Sequence, residues 1–235
     1  MSIADLRRDY GLSSLSRKDL APDPIAEFQR WFAQAAAAKA GSRLRKIGIA
    51  FYKFLQVAFG ADPVDPNAMA LATVGTAGRP SVRTVLLKGV DRRGFIFYTN
   101  YQSRKGGELG ENPHAALAFY WSDLERQVCV AGPVTKLPRE ESEAYFSSRP
   151  RGSRIAAWAS NQSGVVASRN ALEQRWKEIE TQFSNADVPL PPFWGGYVLA
   201  PERIEFWQGR PSRLHDRFCY TKQEDGSWGL VRLAP

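Results

Sequence analysis

The segment Trp207-Gln-Gly-Arg-Pro-Ser-Arg213-Leu-His215-Asp-Arg217 compresses an indole, three arginines, an imidazole and a carboxylate into eleven residues. Read as a strand, it alternates Arg213, His215 and Arg217 onto one face. Three groups able to carry positive charge repel one another, so this arrangement is costly without an anionic or aromatic ligand. A lone histidine is usually a satisfied structural residue, but these flanks shift the balance toward a site. Three weaker series accompany it. Arg83-Thr-Val-Leu-Leu-Lys88 has a cation at each end of an apolar strand, with Arg83, Val85 and Leu87 on one face and Thr84, Leu86 and Lys88 on the other. Alone, it reads as edge-strand charges that discourage aggregation. Tyr98-Thr-Asn100 followed by Ser103-Arg-Lys105-Gly-Gly gathers hydroxyls, two cations and flexible backbone at a strand end. That chemistry suits a phosphate, although the residue order is not that of a nucleotide P-loop. Tyr145, Arg149 and Ser153, each four apart, form a second donor series near a helix end. A solvated helix terminus is an equally good account of that spacing.

These residues need a scaffold, and the hydrophobic pattern outlines one. The first twenty residues are polar and aperiodic, an arm. Asp23 as cap and Pro24 at the first helical position announce a helix with Ile25, Phe28, Phe32 and Ala35 on one face and Gly41 at its end. Residues 42–61 continue a helical period. From residue 70 the period becomes alternating: 70–74, 81–90, 95–100, 115–121 and 126–137 read as strands separated by Gly- and Asp-containing turns. Helices are expected from about 138 to 148 and 166 to 183, then strands at 193–200, 203–208, 213–220 and 228–235. Strands that mostly follow one another directly argue for an antiparallel sheet or barrel with peripheral helices, an α+β chain that is mainly β. One domain (21–235) behind an arm or lid (1–20) is the expected organisation.

The composition narrows the function. With 43% apolar and 24% charged residues the chain is globular, not disordered. The 32 basic and 24 acidic side chains give a formal +8, which suits an anionic partner without specifying it. Two cysteines and two histidines without ligand spacing give no metal site and no disulfide framework. Residues 47–61 form the longest apolar stretch and are too short to span a bilayer, so a soluble, cytoplasmic protein with reduced thiols is expected and membrane association is not. No nucleic-acid-binding motif accompanies the cations.

Taken in order, RTVLLK (83–88), FYTN (97–100), SRK (103–105), ERQV (125–128), YFSSRPRGS (145–153), NQS (161–163), PPFWGGY (191–197), IEFWQG (204–209) and RLHDR (213–217) resemble the pyridoxamine/pyridoxine 5′-phosphate oxidase family. The resemblance runs from RRDY (7–10) to RLAP (232–235). It implies an antiparallel split β-barrel with peripheral helices, assembled as a homodimer with FMN at interface active sites. FMN would be held by Arg83, Thr84, Val85, Leu86, Leu87 and Lys88, by Tyr98 and Thr99, by Arg104 and Lys105, and by Gln127, Gln162, Ser163, Trp207 and Arg217. The substrate phosphate would meet Lys88, Tyr145, Arg149 and Ser153. Arg213, Leu214 and His215 would lie at the pyridine ring, with Arg213 and His215 the residues nearest the chemistry, and the arm from Arg7 and Arg8 through Asp9 to Tyr10 would close over it. A proton relay and a positioning role both suit His215.

The implied reaction converts pyridoxamine 5′-phosphate or pyridoxine 5′-phosphate to pyridoxal 5′-phosphate, with O2 as electron acceptor giving H2O2, and ammonia from the amine. A split-barrel flavin reductase, or a non-catalytic FMN or vitamin B6 binder, is the alternative. One departure from the family pattern is a basic amphipathic insert at about 40–62. An extra helix packed on the barrel or dimer accounts for it more simply than a membrane-surface helix.

Overall fold

A computed structural model describes residues 2–5, 9–45 and 65–235. Arg7 and Arg8 of the expected arm, and the part of the basic insert beyond residue 45, lie outside the described residues. In chain order the elements are α1 (Pro24–Arg45), β1 (Ala68–Val74), β2 (Pro80–Leu86), β3 (Gly89–Asp91), β4 (Gly94–Asn100), α2 (Arg104–Glu111), β5 (His114–Trp121), β6 (Arg126–Lys136), α3 (Arg139–Ser148), α4 (Arg151–Ala159), α5 (Arg169–Gln182), β7 (Trp194–Leu199), β8 (Arg203–Gln208), β9 (Asp216–Lys222) and β10 (Trp228–Leu233). Strands dominate and the paired ones run antiparallel. No helix among the described residues is long and apolar enough to cross a membrane. The described residues fall into two compact units, residues 1–70, 116–131 and 201–235 in one, and residues 71–115 and 132–200 in the other.

In the first unit, Asp23 starts α1 as the sequence predicts: its carboxylate accepts the Ile25 N–H at 3.0 Å. The helix does not stop at Gly41 but runs to Arg45. A glycine ends a helix only where the chain turns left-handed after it; the Ser-Arg-Leu-Arg that follows Gly41 tolerates a helical path. The buried face of α1 sets Phe28 on Phe119 at 4.9 Å between ring centres and Trp31 edge-on to Phe206 at 5.1 Å. Such offset and edge-on pairs satisfy the ring quadrupoles while removing large apolar areas from water. Strands β6, β8 and β9 lie side by side, with Val128, Phe206 and Phe218 opposite one another and buried.

In the second unit, β4 pairs with β7, so that Tyr98 stands opposite Gly196 and Asn100 opposite Trp194. Gly196 is required there: a Cβ would sit 2.6 Å from Leu137 and 2.8 Å from the Tyr98 ring. Helices α3, α4 and α5 bury Phe146, Ile155 and Ile179 with Val188, Leu190 and Trp194.

Three local readings of the sequence are corrected. The run 81–90 is two strands, because β2 ends at Leu86, Leu87 turns inward and Lys88 lies in the connection to β3. Residues 103–107, read as flexible backbone at a strand end, instead open α2, because the Ser103 hydroxyl caps the helix by accepting the Gly106 N–H. Gly106 is needed because a Cβ there would strike the Tyr101 backbone. Finally, α4 interrupts what the pattern left as a connection.

Candidate functional site

The second unit contains a cavity of about 780 Å³ lined by Ser81 to Leu86, Lys88, Tyr98, Thr99, Arg104, Lys105, Tyr145, Arg149, Pro150, Ser153, Gln162, Ser163 and Trp194. Five of these residues are cations and none is a carboxylate. The cavity therefore collects, in one place, the three series that looked weak separately.

Each cation is held differently. Strand β2 alternates as expected, with Arg83 and Val85 half-buried and Thr84 and Leu86 exposed. Behind Arg83 and Arg104 stands Glu108 of α2. Its carboxylate accepts from Thr73 and Ser81, each at 2.5 Å, from Arg104 at 2.9 Å and from Arg83 at 3.3 Å. Burial pushes this carboxyl upward, but the four donors outweigh it and hold Glu108 at about 2. It thus stays charged and aims two guanidinium groups.

Lys105 is buried; its ammonium donates to Gln162 at 2.8 Å, Thr99 at 3.0 Å and Ser103 at 3.3 Å. Burial, and then the charge of Arg83, pull it down to about 8. An anion between these two cations would relieve both effects.

At the other side, Tyr145 stacks on Tyr98 at 3.9 Å, Tyr98 on Trp194 at 5.5 Å, and the Arg149 guanidinium lies 4.8 Å from the Trp194 ring centre. Burial pushes Arg149 below its ordinary range. One of its terminal nitrogens, Nη1, is buried without a hydrogen-bond partner, an arrangement that costs roughly 1–3 kcal/mol unless a ligand satisfies it.

The expected Tyr145–Arg149 helical pair is corrected in form. Helix α3 ends at Ser148 and Arg149 is extended at ψ 148°, because the following Pro150 disfavours helical backbone before it. Pro150 then starts α4, which carries Ser153, and all three residues still reach the cavity. Ser163 holds a left-handed φ of 73°, unusual for serine, beside Gln162.

The first unit carries the remaining candidates. Gln127, Trp207 and Arg217 stand directly opposite one another on β6, β8 and β9, a single row on one sheet face. Glu205 accepts from Arg217 at 2.8 Å, and the Ala234 carbonyl accepts a second bond at 2.8 Å.

The expected row of Arg213, His215 and Arg217 is not formed. Strand β9 begins only at Asp216, and Pro211–Arg213 is a short 3-10 turn with Ser212 and Arg213 at φ 57° and 61°. Pro211 lacks the N–H a ladder needs, and two successive left-handed residues turn Arg213 out of register. Arg213 and Leu214 are exposed. His215 instead packs 4.7 Å from Trp207 and 5.6 Å from Tyr10, which is itself edge-on to Trp207 at 5.5 Å. Nδ1 of His215 accepts the Arg210 N–H at 3.1 Å, leaving Nε2 to carry the proton of the neutral ring. Of the expected arm, Tyr10 thus joins this cluster while Asp9 is exposed.

Sequence reasoning missed Ser81, Glu108, Pro150 and Trp194. Only the Pro after Arg149 carried a local signal.

Residues 58–183 match the family model described as pyridoxamine 5′-phosphate oxidase, and residues 194–235 match the pyridoxine 5′-phosphate oxidase C-terminal dimerisation region. A pyridoxine/pyridoxamine 5′-phosphate oxidase of Paraburkholderia phymatum is 52% identical over 234 residues, covering 100% of this chain and 99% of that one. The protein of the same name from Cupriavidus necator is 52% identical over 233 residues, with 99% of each chain covered. Among solved structures, PhzG from Burkholderia lata 383, in complex with tetrahydrophenazine-1-carboxylic acid, superposes with a TM-score of 0.77 at 29% identity, covering 96% of this chain and 100% of that one. The antiparallel, mainly β fold with peripheral helices is therefore a split barrel, and the motifs that line its cationic cavity lie within the matched segments: this chain belongs to the pyridoxamine 5′-phosphate oxidase family.

Proposed function

We propose that this protein oxidises pyridoxamine 5′-phosphate and pyridoxine 5′-phosphate to pyridoxal 5′-phosphate, using FMN and O2 and releasing H2O2, with ammonia from the amine. The observation that carries the reading is the cavity of five cations without a carboxylate, one of them half-buried Arg149 with a buried, unsatisfied Nη1. Two phosphates, one from the cofactor and one from the substrate, match that surplus of donors. The cavity's volume of about 780 Å³ is also in the range that holds ligands of this size.

FMN fits the donor set present. Arg83 and Arg104, aimed by Glu108, together with Lys105 and the Thr84 hydroxyl, would bind its phosphate; Val85, Leu86, Leu87, Tyr98, Thr99, Gln162 and Ser163 belong to the same assignment, as do Gln127, Trp207 and Arg217. When bound, FMN supplies the hydride acceptor and the path of electrons to oxygen. Lys88, Tyr145, Arg149 and Ser153 would bind the substrate phosphate. Arg149 is suited to this because a guanidinium is planar, permanently charged and able to donate two bonds to one phosphate. Arg213 and His215 would orient the pyridine, with Leu214 beside them and the arm of Arg7, Arg8, Asp9 and Tyr10 covering it. Holding the reacting carbon in place by its distant phosphate is the protein's main contribution. The matched dimerisation region supports a homodimer.

The test is an aerobic assay of purified, FMN-loaded protein with pyridoxamine 5′-phosphate, following aldehyde and peroxide together. Both products should appear in equal amounts; a flavin-loaded protein that forms neither refutes the proposal.

A further inference from the structure

Residues 10–15 are tied to the rest of the first unit by several hydrogen bonds, among them Arg232 to the Leu15 carbonyl at 3.3 Å. The Gly11 and Leu12 N–H groups donate to one carboxylate oxygen of Glu125 at 2.8 and 3.0 Å. Arg210 donates to the Ser13 carbonyl at 3.1 Å, and the Leu15 N–H donates to Asp216 at 3.0 Å. The result is that Tyr10 lies against Trp207 and His215 and covers Gly209, where a Cβ would come within 2.8 Å of the tyrosine ring.

Glu125 is unusual among these anchors. It is 3% exposed, and it adopts a left-handed φ of 53° at the end of a 3-10 turn. Its backbone carbonyl already has a structural task, accepting Gly209 N–H at 2.7 Å and the Gln208 side chain at 3.2 Å. Glycine or asparagine would suit that backbone better. Local propensity therefore does not explain a buried carboxylate here, whereas its bonds to the arm do.

We propose that Glu125 is a positioning residue, a latch whose carboxylate holds the Gly11–Leu12 backbone and so keeps Tyr10 closed over Trp207 and His215. The kinetic half of this inference rests on the proposed function; the docking half does not.

Glu125→Gly separates the latch from the turn, because glycine relaxes the left-handed backbone while removing the carboxylate. Glu125→Gln keeps one acceptor oxygen in place. In FMN-loaded full-length protein, trypsin sites at Arg7, Arg8, Arg17 and Lys18 flank the latched segment. Loss of two charge-assisted bonds should accelerate cleavage there about tenfold or more in Glu125→Gly, with the glutamine variant near wild type and neither melting earlier. With pyridoxamine 5′-phosphate, Glu125→Gly should raise KM several-fold with kcat nearly unchanged. Because the latch acts through Tyr10, the Tyr10→Ala, Glu125→Gly double variant should bind substrate no worse than Tyr10→Ala alone. Wild-type cleavage rates in Glu125→Gly, or losses that multiply in the double variant, overturn the proposal. A wild-type enzyme that oxidises no amine, while Glu125→Gly still opens the arm, overturns the oxidase reading and supports the latch.

Discussion

Replacing Arg149 with methionine is the sharpest test of how the cavity recognises its ligand. The change keeps an unbranched stem against Trp194 and Phe146 but removes the guanidinium. Two effects oppose each other in the ligand-free protein. Relief of the unsatisfied Nη1 returns about 1–3 kcal/mol, while loss of the cation–ring contact costs about 0.5–2 kcal/mol. Stability should therefore change little, and a melting curve checks this first.

The ligand-bound balance is one-sided. A phosphate satisfying that guanidinium gains one or two charge-assisted bonds, about 2–4 kcal/mol in total, so KM for pyridoxamine 5′-phosphate should rise roughly 30- to 1000-fold. The phosphate is remote from the reacting carbon, so kcat should fall much less. Unphosphorylated pyridoxamine is the internal control: its weak turnover should be nearly the same in both proteins. Steady-state kinetics on the two substrates, with FMN affinity measured in parallel, reads all three numbers. An equal loss with both substrates, or a loss of FMN at unchanged substrate KM, would show that Arg149 does not read the substrate phosphate.

Three further outcomes follow from the same geometry. Removing the charge of Glu108 with glutamine should loosen Arg83 and Arg104 and weaken FMN binding by flavin fluorescence titration. Because the folded carboxyl is held at about 2, wild-type stability should also fall as pH drops from about 4.5 toward 2, a limb that flattens in Glu108→Gln. For Lys105 the sign is the same in a higher window: its folded value of about 8 lies below the ordinary 10.5, so folding favours the neutral amine and stability should rise with pH across that interval. FMN affinity should fall over the same pH range as the ammonium is lost, and Lys105→Met should abolish both trends. Gly196→Ala forces a Cβ toward Leu137 and Tyr98 and should cost about 1–3 kcal/mol by overpacking; a thermal melt within a degree of wild type would contradict the register of β4 and β7.

The strands were legible because alternation and turn residues are local signals, and β4, β5 and β6 begin and end within a residue or two of the pattern. Helix α2 was hidden by its glycines, one of which is present for close approach to Tyr101 rather than for flexibility. The alternation assumed for residues 213–217 failed because Pro211 and two left-handed residues hold the chain out of the ladder.

The site divides in the same way. Its cations announce themselves by charge and spacing, but the groups that aim them do not. Glu108 looks like any acid on a helix surface until Thr73, Ser81, Arg83 and Arg104 converge on it, and Trp194 looks like core until Arg149 lies on it. Those relations join residues far apart in sequence, and a single chain without its fold carries no record of them.

Physical consistency is weakest where function is proposed. Elsewhere, apart from Arg154 Nε, buried polar groups are largely paired, as when the Tyr220 hydroxyl donates to Ala21 at 2.6 Å or Ser142 accepts the Gly196 N–H at 3.0 Å. In the cavity, by contrast, Lys105 is held beside Arg83 at a cost to its charged form, Arg149 buries a donor with no acceptor, and Ser163 keeps a left-handed backbone. Each tension alone would be a minor defect. The first two share one remedy, an anion, and the carboxylate bonded to Arg83 and Arg104, Glu108, is already committed to them and to two hydroxyls. Relief of these tensions is part of the binding free energy, so at equal concentration a phosphate-bearing ligand should stabilise the fold more than an uncharged one. The rise in melting temperature should be larger for FMN than for the same flavin lacking its phosphate, and equal rises would refute the assignment of this cationic cavity to a phosphate.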